Sequence, residues 1–264
     1  MNNPAPGFEK NPDRIICLEP SPRRVRLKFG EEWIADSTDM MLMFETGHLP
    51  VYYFPVNDVR LDLLHPTDHG TYCKYKGEAA YWSIKAGGRV SDNAVWAYQT
   101  PYDEMLKINL QDYCAFFWDR VDHWFEEDEE VFVHPRDPYK RIDAVPSSRN
   151  VKVVAGGETI ADTTNAHFLF ETDLPTRYYI PATDVRTELL KDSATTTQCP
   201  YKGIARYHTA RIGDSEFQDI AWYYPDPIAE CPKIKDLICF YHENVDAIFI
   251  DDVEAEKPIS KKSS

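Results

Sequence analysis

One displacement constrains this chain more than any local motif, because much of its text occurs twice, 126 residues apart. Ala35-Asp36 returns as Ala161-Asp162, Phe44-Glu45-Thr46 as Phe170-Glu171-Thr172, and Tyr52-Tyr53 as Tyr178-Tyr179. The same shift carries Asp58-Val59-Arg60 to Asp184-Val185-Arg186, Leu63-Leu64 to Leu189-Leu190 and Trp96 to Trp222. About thirty positions agree without a gap between Arg23 and Ile108, far more than composition alone gives. Beyond them the register slips, and Val121-Asp122 pairs with Val245-Asp246. Upstream, Pro12, Ile16, Pro20, Ser21 and Arg23 answer to Pro138, Ile142, Pro146, Ser147 and Arg149. The apparent linker "HPRDPYKRIDAVPSSR" is therefore mostly the opening arm of the second copy. Two domain-sized copies predict tandem domains, not a solenoid. We expect a first repeat over 8–134, a second over 135–254, a disordered tail over 255–264, and an intramolecular pseudo-dimer of the two repeats.

Each copy reads as mainly β, a compact antiparallel sheet around an aromatic core with at most a short helix. "VRLKF" and "VKVV" are short β-rich runs followed by the turns "GEE" and "GGE". "MMLMFET", "VYYFP", "EAAYWSIKA", "AVWAYQT" and "CAFFWDRVDHWF" have strand-like lengths and are rich in aromatic and β-branched residues. "YDEMLKI", after Pro101, is the one helical candidate of the first copy. The acidic run Glu126–Glu130 predicts a solvated strand end or loop.

Charge narrows the partners. A net charge of −15 repels phosphate backbones and anionic lipid, so neither nucleic acid nor a membrane surface is an expected partner. The opening "MNNPAPGFEKNPDR" has no signal-peptide core, and no apolar run is long enough to span a bilayer. The six cysteines lack the paired spacing of a zinc site, so no metal or other cofactor is expected, and free thiols point to a cytoplasmic protein. "HPTDH" (His65, His69) occurs in one copy only and reads as a solvated turn. Neither a Gly-rich phosphate loop nor a Gly-x-Ser-x-Gly elbow is present.

The repeated segment "CKYKG" and "CPYKG" (Cys73–Gly77, Cys199–Gly203) raises the question of a reactive site. With Cys73 to Trp82 taken as one continuous strand, Cys73, Tyr75, Gly77, Ala79 and Tyr81 share a face. The second copy has Cys199, Tyr201, Gly203, Ala205 and Tyr207 there, identical throughout. That face reads as packed interior, with the thiols as inert filling. On the other face only the central lysine, Lys76 or Lys202, recurs. Glu45, Asp58 and Arg60, with Glu171, Asp184 and Arg186, are its candidate partners. One reading makes them an ion-pair network bracing strand to loop. The other makes them a polar pocket, in which Lys76 and Arg60 grip an anionic or carbonyl group between Tyr53, Tyr75 and Trp96. In the second copy Tyr179, Tyr201 and Trp222 take the same parts.

"ETGHLPVYYFPVNDVRLDLL", "TYCKYKGEAAYWS", "HPRDPYKRIDAVPSSRNVKV", "ETDLPTRYYIPATDVRTELL", "CPYKG" and "ICFYHENVD" together resemble the domain-of-unknown-function 427 family in its two-copy form. The resemblance runs from about residue 8 to residue 254. It implies a β-tent fold, akin to Mss4-like and methionine sulfoxide reductase B-like domains. The nucleotidyltransferase-like label attached to that family finds no support here. "DVRLD" lacks the Gly-Ser turn of such enzymes, and Glu188 replaces its last Asp in the second copy. Against the family pattern, the first copy departs at Lys74, and the second at Ile204 and His208. The expectation is a small-molecule-binding protein, extending to a metal-independent metabolic enzyme, with an aromatic/Lys/Arg pocket in one or both repeats. The rival is a non-catalytic interaction or scaffold protein with a pseudo-dimeric twin domain.

Overall fold

The computed structural model describes residues 3–258. The chain divides into two compact units, 1–135 and 136–264. The first contains β1 (Ile16–Pro20), β2 (Val25–Phe29), β3 (Glu32–Ser37), β4 (Met41–Glu45), β5 (Val51–Pro55), β6 (Leu64–Cys73), β7 (Gly77–Ala86), β8 (Arg89–Ala97), β9 (Tyr113–Phe116), β10 (His123–Glu126) and β11 (Glu129–Val131). Two short helices, α1 (Pro6–Lys10) and α2 (Asp103–Leu106), accompany them. A seven-stranded sheet runs in the order β1-β4-β5-β9-β8-β7-β6, and a four-stranded sheet in the order β11-β10-β2-β3. The fold is mainly β, as the sequence predicts.

The second unit repeats this plan with β12 (Ile142–Ser147), β13 (Val151–Ala155), β14 (Glu158–Thr163), β15 (Ala166–Glu171), β16 (Arg177–Ile180), β17 (Leu190–Cys199), β18 (Gly203–Ile212), β19 (Ser215–Tyr223), β20 (Ile238–Phe240), β21 (Ala247–Ile250) and β22 (Val253–Glu254). Its sheets run β12-β15-β16-β20-β19-β18-β17 and β14-β13-β21-β22, the same two orders.

Strand alternation sorts the aromatic residues onto two layers. In β5, Tyr52 and Phe54 face the four-stranded sheet and pack with Leu27, Ile34, Phe116 and Trp124. Tyr53, between them, points the other way and joins Met43, Tyr81, Tyr98 and Leu110. In β8, Val95 and Ala97 belong to the first layer, whereas Trp96, and Tyr98 just beyond the strand, belong to the second. The middle of the seven-stranded sheet is thus apolar on both faces, which is why β4, β5 and β9 read as near-continuous hydrophobic runs, whereas β6 and the start of β8 are polar and exposed.

Several local expectations change. "CAFFWDRVDHWF" is not one strand: β9 and β10 are separated by a 3-10 turn at Trp118–Arg120 and enter different sheets. "HPTDH" is no turn but part of β6, where the pairing with β7 shifts register between Pro66 and Gly70, and the His69 ring meets Tyr81 edge-on at 4.5 Å. Glu126 is no solvated acid: it is 5% exposed, accepts the Tyr52 hydroxyl at 2.6 Å and pairs with Arg23. Burial and this carboxylate push the Tyr52 phenol well above its ordinary range. Of the expected tail, residues 259–264 lie outside the described residues. Nearer the body, Ala255 N–H donates to Ile248 and Lys257 Nζ to the Val245 carbonyl at 2.7 Å.

The largest correction concerns "CKYKG". Cys73 ends β6, Gly77 begins β7, and the two pair across a hairpin whose loop is Lys74-Tyr75-Lys76. A continuous strand through Cys73 to Trp82 does not exist, so strand parity says nothing about where Lys76 points. Gly77 and Gly203 close the two loops at φ +104° and +103°. This is backbone that a side chain tolerates poorly, which accounts for the glycine in both copies. Gly77→Ala is expected to cost about 1–2 kcal/mol. A denaturant titration of the full chain checks this, and an unmoved midpoint would contradict the strain argument.

Candidate functional site

Lys76 leaves the hairpin loop and turns inward to a residue total exposure of 8%; Lys202 does the same, also at 8%. Each ammonium meets a carboxylate from the far side of its sheet: Lys76 bonds Glu45, at the end of β4, and Lys202 bonds Glu171, at the end of β15, at 2.5 Å. A second cation from the opening arm completes each group. Arg14 Nε donates to Glu45 Oε1 at 3.0 Å, and Lys140 Nζ lies 3.3 Å from Glu171 Oε1. Two cations and one carboxylate leave a surplus of one positive charge in each unit, within a chain that is strongly acidic.

Burial works to raise the Glu45 pKa, but Lys76 and Arg14 together outweigh it and hold the carboxyl below its ordinary range. The Arg14 guanidinium also lies over the Tyr75 ring at 4.7 Å, as Lys140 lies over Tyr201 at 5.5 Å. Among the described residues, Glu45 is the one hydrogen-bond acceptor of Lys76 Nζ, and Glu171 that of Lys202 Nζ. An ammonium carries three N–H donors. Each lysine therefore keeps donor capacity after its ion pair is made.

That capacity faces a cleft. In the first unit a cleft of about 580 Å³ is lined by Glu45, Lys76, Tyr53, Tyr81, Trp96 and Phe117, with His48 and Leu49 at its side. The second unit has a cleft of about 240 Å³ at the matching place, lined by Glu171, Lys202, Tyr179, Tyr207, Trp222 and Tyr241. Indole and phenol are locked together in both: Trp96 Nε1 donates to Tyr53 Oη at 3.3 Å, and Trp222 Nε1 to Tyr179 Oη at 3.1 Å. The walls are held further by Tyr81 Oη against Thr71 Oγ1 at 2.8 Å and Tyr207 Oη against Thr197 Oγ1 at 2.9 Å. Burial pushes the phenols of Tyr53 and Tyr98 up, so these walls stay neutral.

The second cleft is smaller for an identifiable reason. Arg177 stands where the first unit has Val51, and Tyr241 where it has Phe117. Arg177 makes two 2.8 Å bonds to Glu243 and lies over Trp222 and Tyr241 at 5.6 and 5.8 Å. A neutralised arginine thus occupies space that is open in the first unit.

The structure brings Glu45, Tyr53, Lys76 and Trp96 together, and likewise Glu171, Tyr179, Lys202 and Trp222. It does not bring Asp58, Arg60, Asp184 or Arg186 to them. Asp58 and Asp184 accept the Ser37 and Thr163 hydroxyls at 2.6 Å, securing the segment after β5 or β16 to the smaller sheet. Arg60 pairs with Asp62 at 2.7 Å, and Arg186 with Glu158 and Glu188, all on the surface. Sequence proximity to Val59 and Val185, which bridge to Ala35 and Ala161, explains their recurrence.

Tyr75 and Tyr201 are not cleft walls. Tyr75 lies beneath the arm, edge-on to Phe8 at 5.1 Å, and borders only a shallower groove outside Lys76. A Cβ on Gly7 would meet its ring at 2.5 Å. The Tyr201 hydroxyl accepts the Asp137 N–H at 2.7 Å, and burial raises that phenol to about 12. Arg14 and Lys140 were missed by sequence reasoning, although the 126-residue shift pairs these two basic positions. Among the described residues, no three His, Cys, Asp or Glu side chains are grouped as a metal ion requires, and no helix is long and apolar enough to cross a membrane.

The family model described as "Domain of unknown function (DUF427)" matches the chain over residues 17–127 and again over 143–251. The chain belongs to the DUF427 family. Each DUF427 match covers one complete pair of sheets, with the exception of edge residues such as Ile16 and the strands β11 and β22. Arg14 and Lys140, which complete the charged groups, lie just outside the two DUF427 matches. A comparison with curated proteins gives no match.

The depressed Glu45 pKa fixes the sign of a pH effect. The unfolded carboxyl, at about 4.3, takes up a proton before the folded one. The stability contributed by Glu45 is therefore complete above that value and is lost as pH falls through the lower, folded value. Glu45→Gln leaves two cations without their carboxylate and is expected to cost on the order of 3 kcal/mol at neutral pH. The deficit should narrow below about pH 4, where wild type protonates too. Denaturant midpoints measured across acid pH check this, and a deficit independent of pH would contradict it.

Proposed function

We propose that each unit binds a small molecule presenting an anionic or carbonyl oxygen to Lys76 or Lys202, with a flat apolar portion against the Tyr–Trp wall. The observation that carries this reading is a buried ammonium with spare donors at the edge of an open cleft, occurring twice. A buried polar donor without an acceptor is costly, and a ligand oxygen would relieve that cost. The surplus positive charge beside each lysine favours the same ligand class. Tyr53 with Trp96, and Tyr179 with Trp222, supply rigid aromatic surface of the kind that lines small-ligand sites.

The carboxylates Glu45 and Glu171 orient the lysines through ion pairs, so binding rather than amine nucleophilicity is the role assigned to them. The first unit, with the larger cleft, takes the larger ligand. The six cysteines are free, in keeping with action in the reducing cytoplasm.

Native mass spectrometry of the gently purified chain tests the proposal. Wild type is expected to carry a small acidic or carbonyl compound, and Lys76→Met to lose it from the first unit while Lys202→Met spares that unit. A Lys76→Met chain that melts earlier yet retains the compound at full occupancy would leave only a structural ion pair.

A further inference from the structure

The first unit has a second cavity, of about 340 Å³, on the opposite face of the seven-stranded sheet from the Lys76 cleft. Leu64, Trp82, Val95, Ala97 and Cys114 form its body, and Gln111 reaches it from the segment before β9. None of its lining residues is charged. Burial pushes the Cys114 thiol up to about 12, so it too is neutral. Gln111 Oε1 is buried and has no hydrogen-bond partner among the described residues. That oxygen is closed off even from water, so it lies behind the cavity wall and out of a ligand's reach.

The duplication shows what made this space. Tyr53 pairs with Ala115 and Tyr179 with Cys239, so Cys114 corresponds to Ile238. The 126-residue shift sets Ala97 against Tyr223 and Trp82 against His208. In the second unit the Tyr223 and His208 rings stack face to face, 4.9 Å apart and 9° from parallel. Where that pair stacks a phenol ring against an imidazole, the first unit offers the Trp82 indole and, at Ala97, only a methyl group. The missing stacking partner is a flat ring.

We propose that this cavity is a ligand site for a neutral, planar, largely apolar molecule of one or two rings, which stacks on Trp82. Its volume lies at the lower end of the range that holds small ligands, about 300 Å³ upward. The site shares no residue with the Lys76 cleft and takes an uncharged molecule where that cleft takes an acidic one.

The test is calorimetric titration of the full chain with 2-naphthol and with naphthalene, which lacks the hydroxyl. Wild type is expected to bind each of the two at one site, since both present the same flat ring system to Trp82. Ala97→Tyr and Cys114→Ile each install the residue of the second unit, and each should weaken 2-naphthol at least about tenfold by filling the space. If Ala97→Tyr fails to fold, Cys114→Ile decides. Wild-type affinity in a folded filling variant, or no saturable binding by wild type, would overturn the proposal.

Discussion

The hydrogen bond from Lys76 to Glu45 depends on the shape of a whole sheet. In the order β4-β5-β9-β8-β7, the carboxylate and the ammonium belong to strands four steps apart, about 19 Å across if the sheet were flat. They also sit at opposite ends of strands that run the same way. No pair of side chains spans that separation. The contact therefore exists only because the sheet coils over on itself, and the same coiling hollows out the cleft beneath Tyr53 and Trp96. Arg14 then fastens the opening arm across the gap, and α1, which precedes it, docks on the hairpin loop, with Gly7 N–H bonded to the Lys74 carbonyl at 2.9 Å. The ion group is at once the lock on the fold and the polar edge of the site. The second unit builds the same lock from Glu171, Lys202 and Lys140.

A buried ion group is not in itself a gain in stability, since two cations and a carboxylate must all be desolvated. An apolar trio would fill the same volume at less cost. The arrangement makes physical sense where the charge has a second task, and under the proposed function that task is to hold a ligand oxygen in the cleft beside it. What differs between the units lies around this shared element. Arg177 and Tyr241 narrow the second cleft, whereas Ala97 opens an extra cavity behind the first. Duplication has kept the lock and let the surrounding space diverge, which is the pattern expected when two copies take different ligands.

Much of the architecture was legible from the chain alone. The repeat, the aromatic runs and the turn residues are local signals, and β2 and β5 coincide with "VRLKF" and "VYYFP". The pairing of Glu45, Tyr53, Lys76 and Trp96 was also readable, because all four recur at one displacement. Recurrence could not separate them from Asp58, which secures a loop to the smaller sheet through Ser37, or from Arg60, which pairs with Asp62 on the surface. Nor could it show that "CKYKG" is a hairpin loop. A glycine at φ +104° and a glycine within a strand look alike in text. Arg14 and Lys140 escaped notice since arginine and lysine differ by letter, and only the coiled sheet brings the arm to the carboxylate. The cavity behind Trp82 was invisible for a simpler reason: a space is made by what its neighbours lack.

The account stands on two charged lysines held away from water with donors to spare, and lysine-selective ¹⁵N NMR observes such groups directly. Exposed ammonium protons exchange too fast to be seen at neutral pH, whereas buried, hydrogen-bonded ones persist. The account predicts two persistent ammonium signals, one removed by Lys76→Met and the other by Lys202→Met, both with nitrogen shifts of the protonated amine. A spectrum without such signals, or with those lysines titrating as free amines, would contradict it.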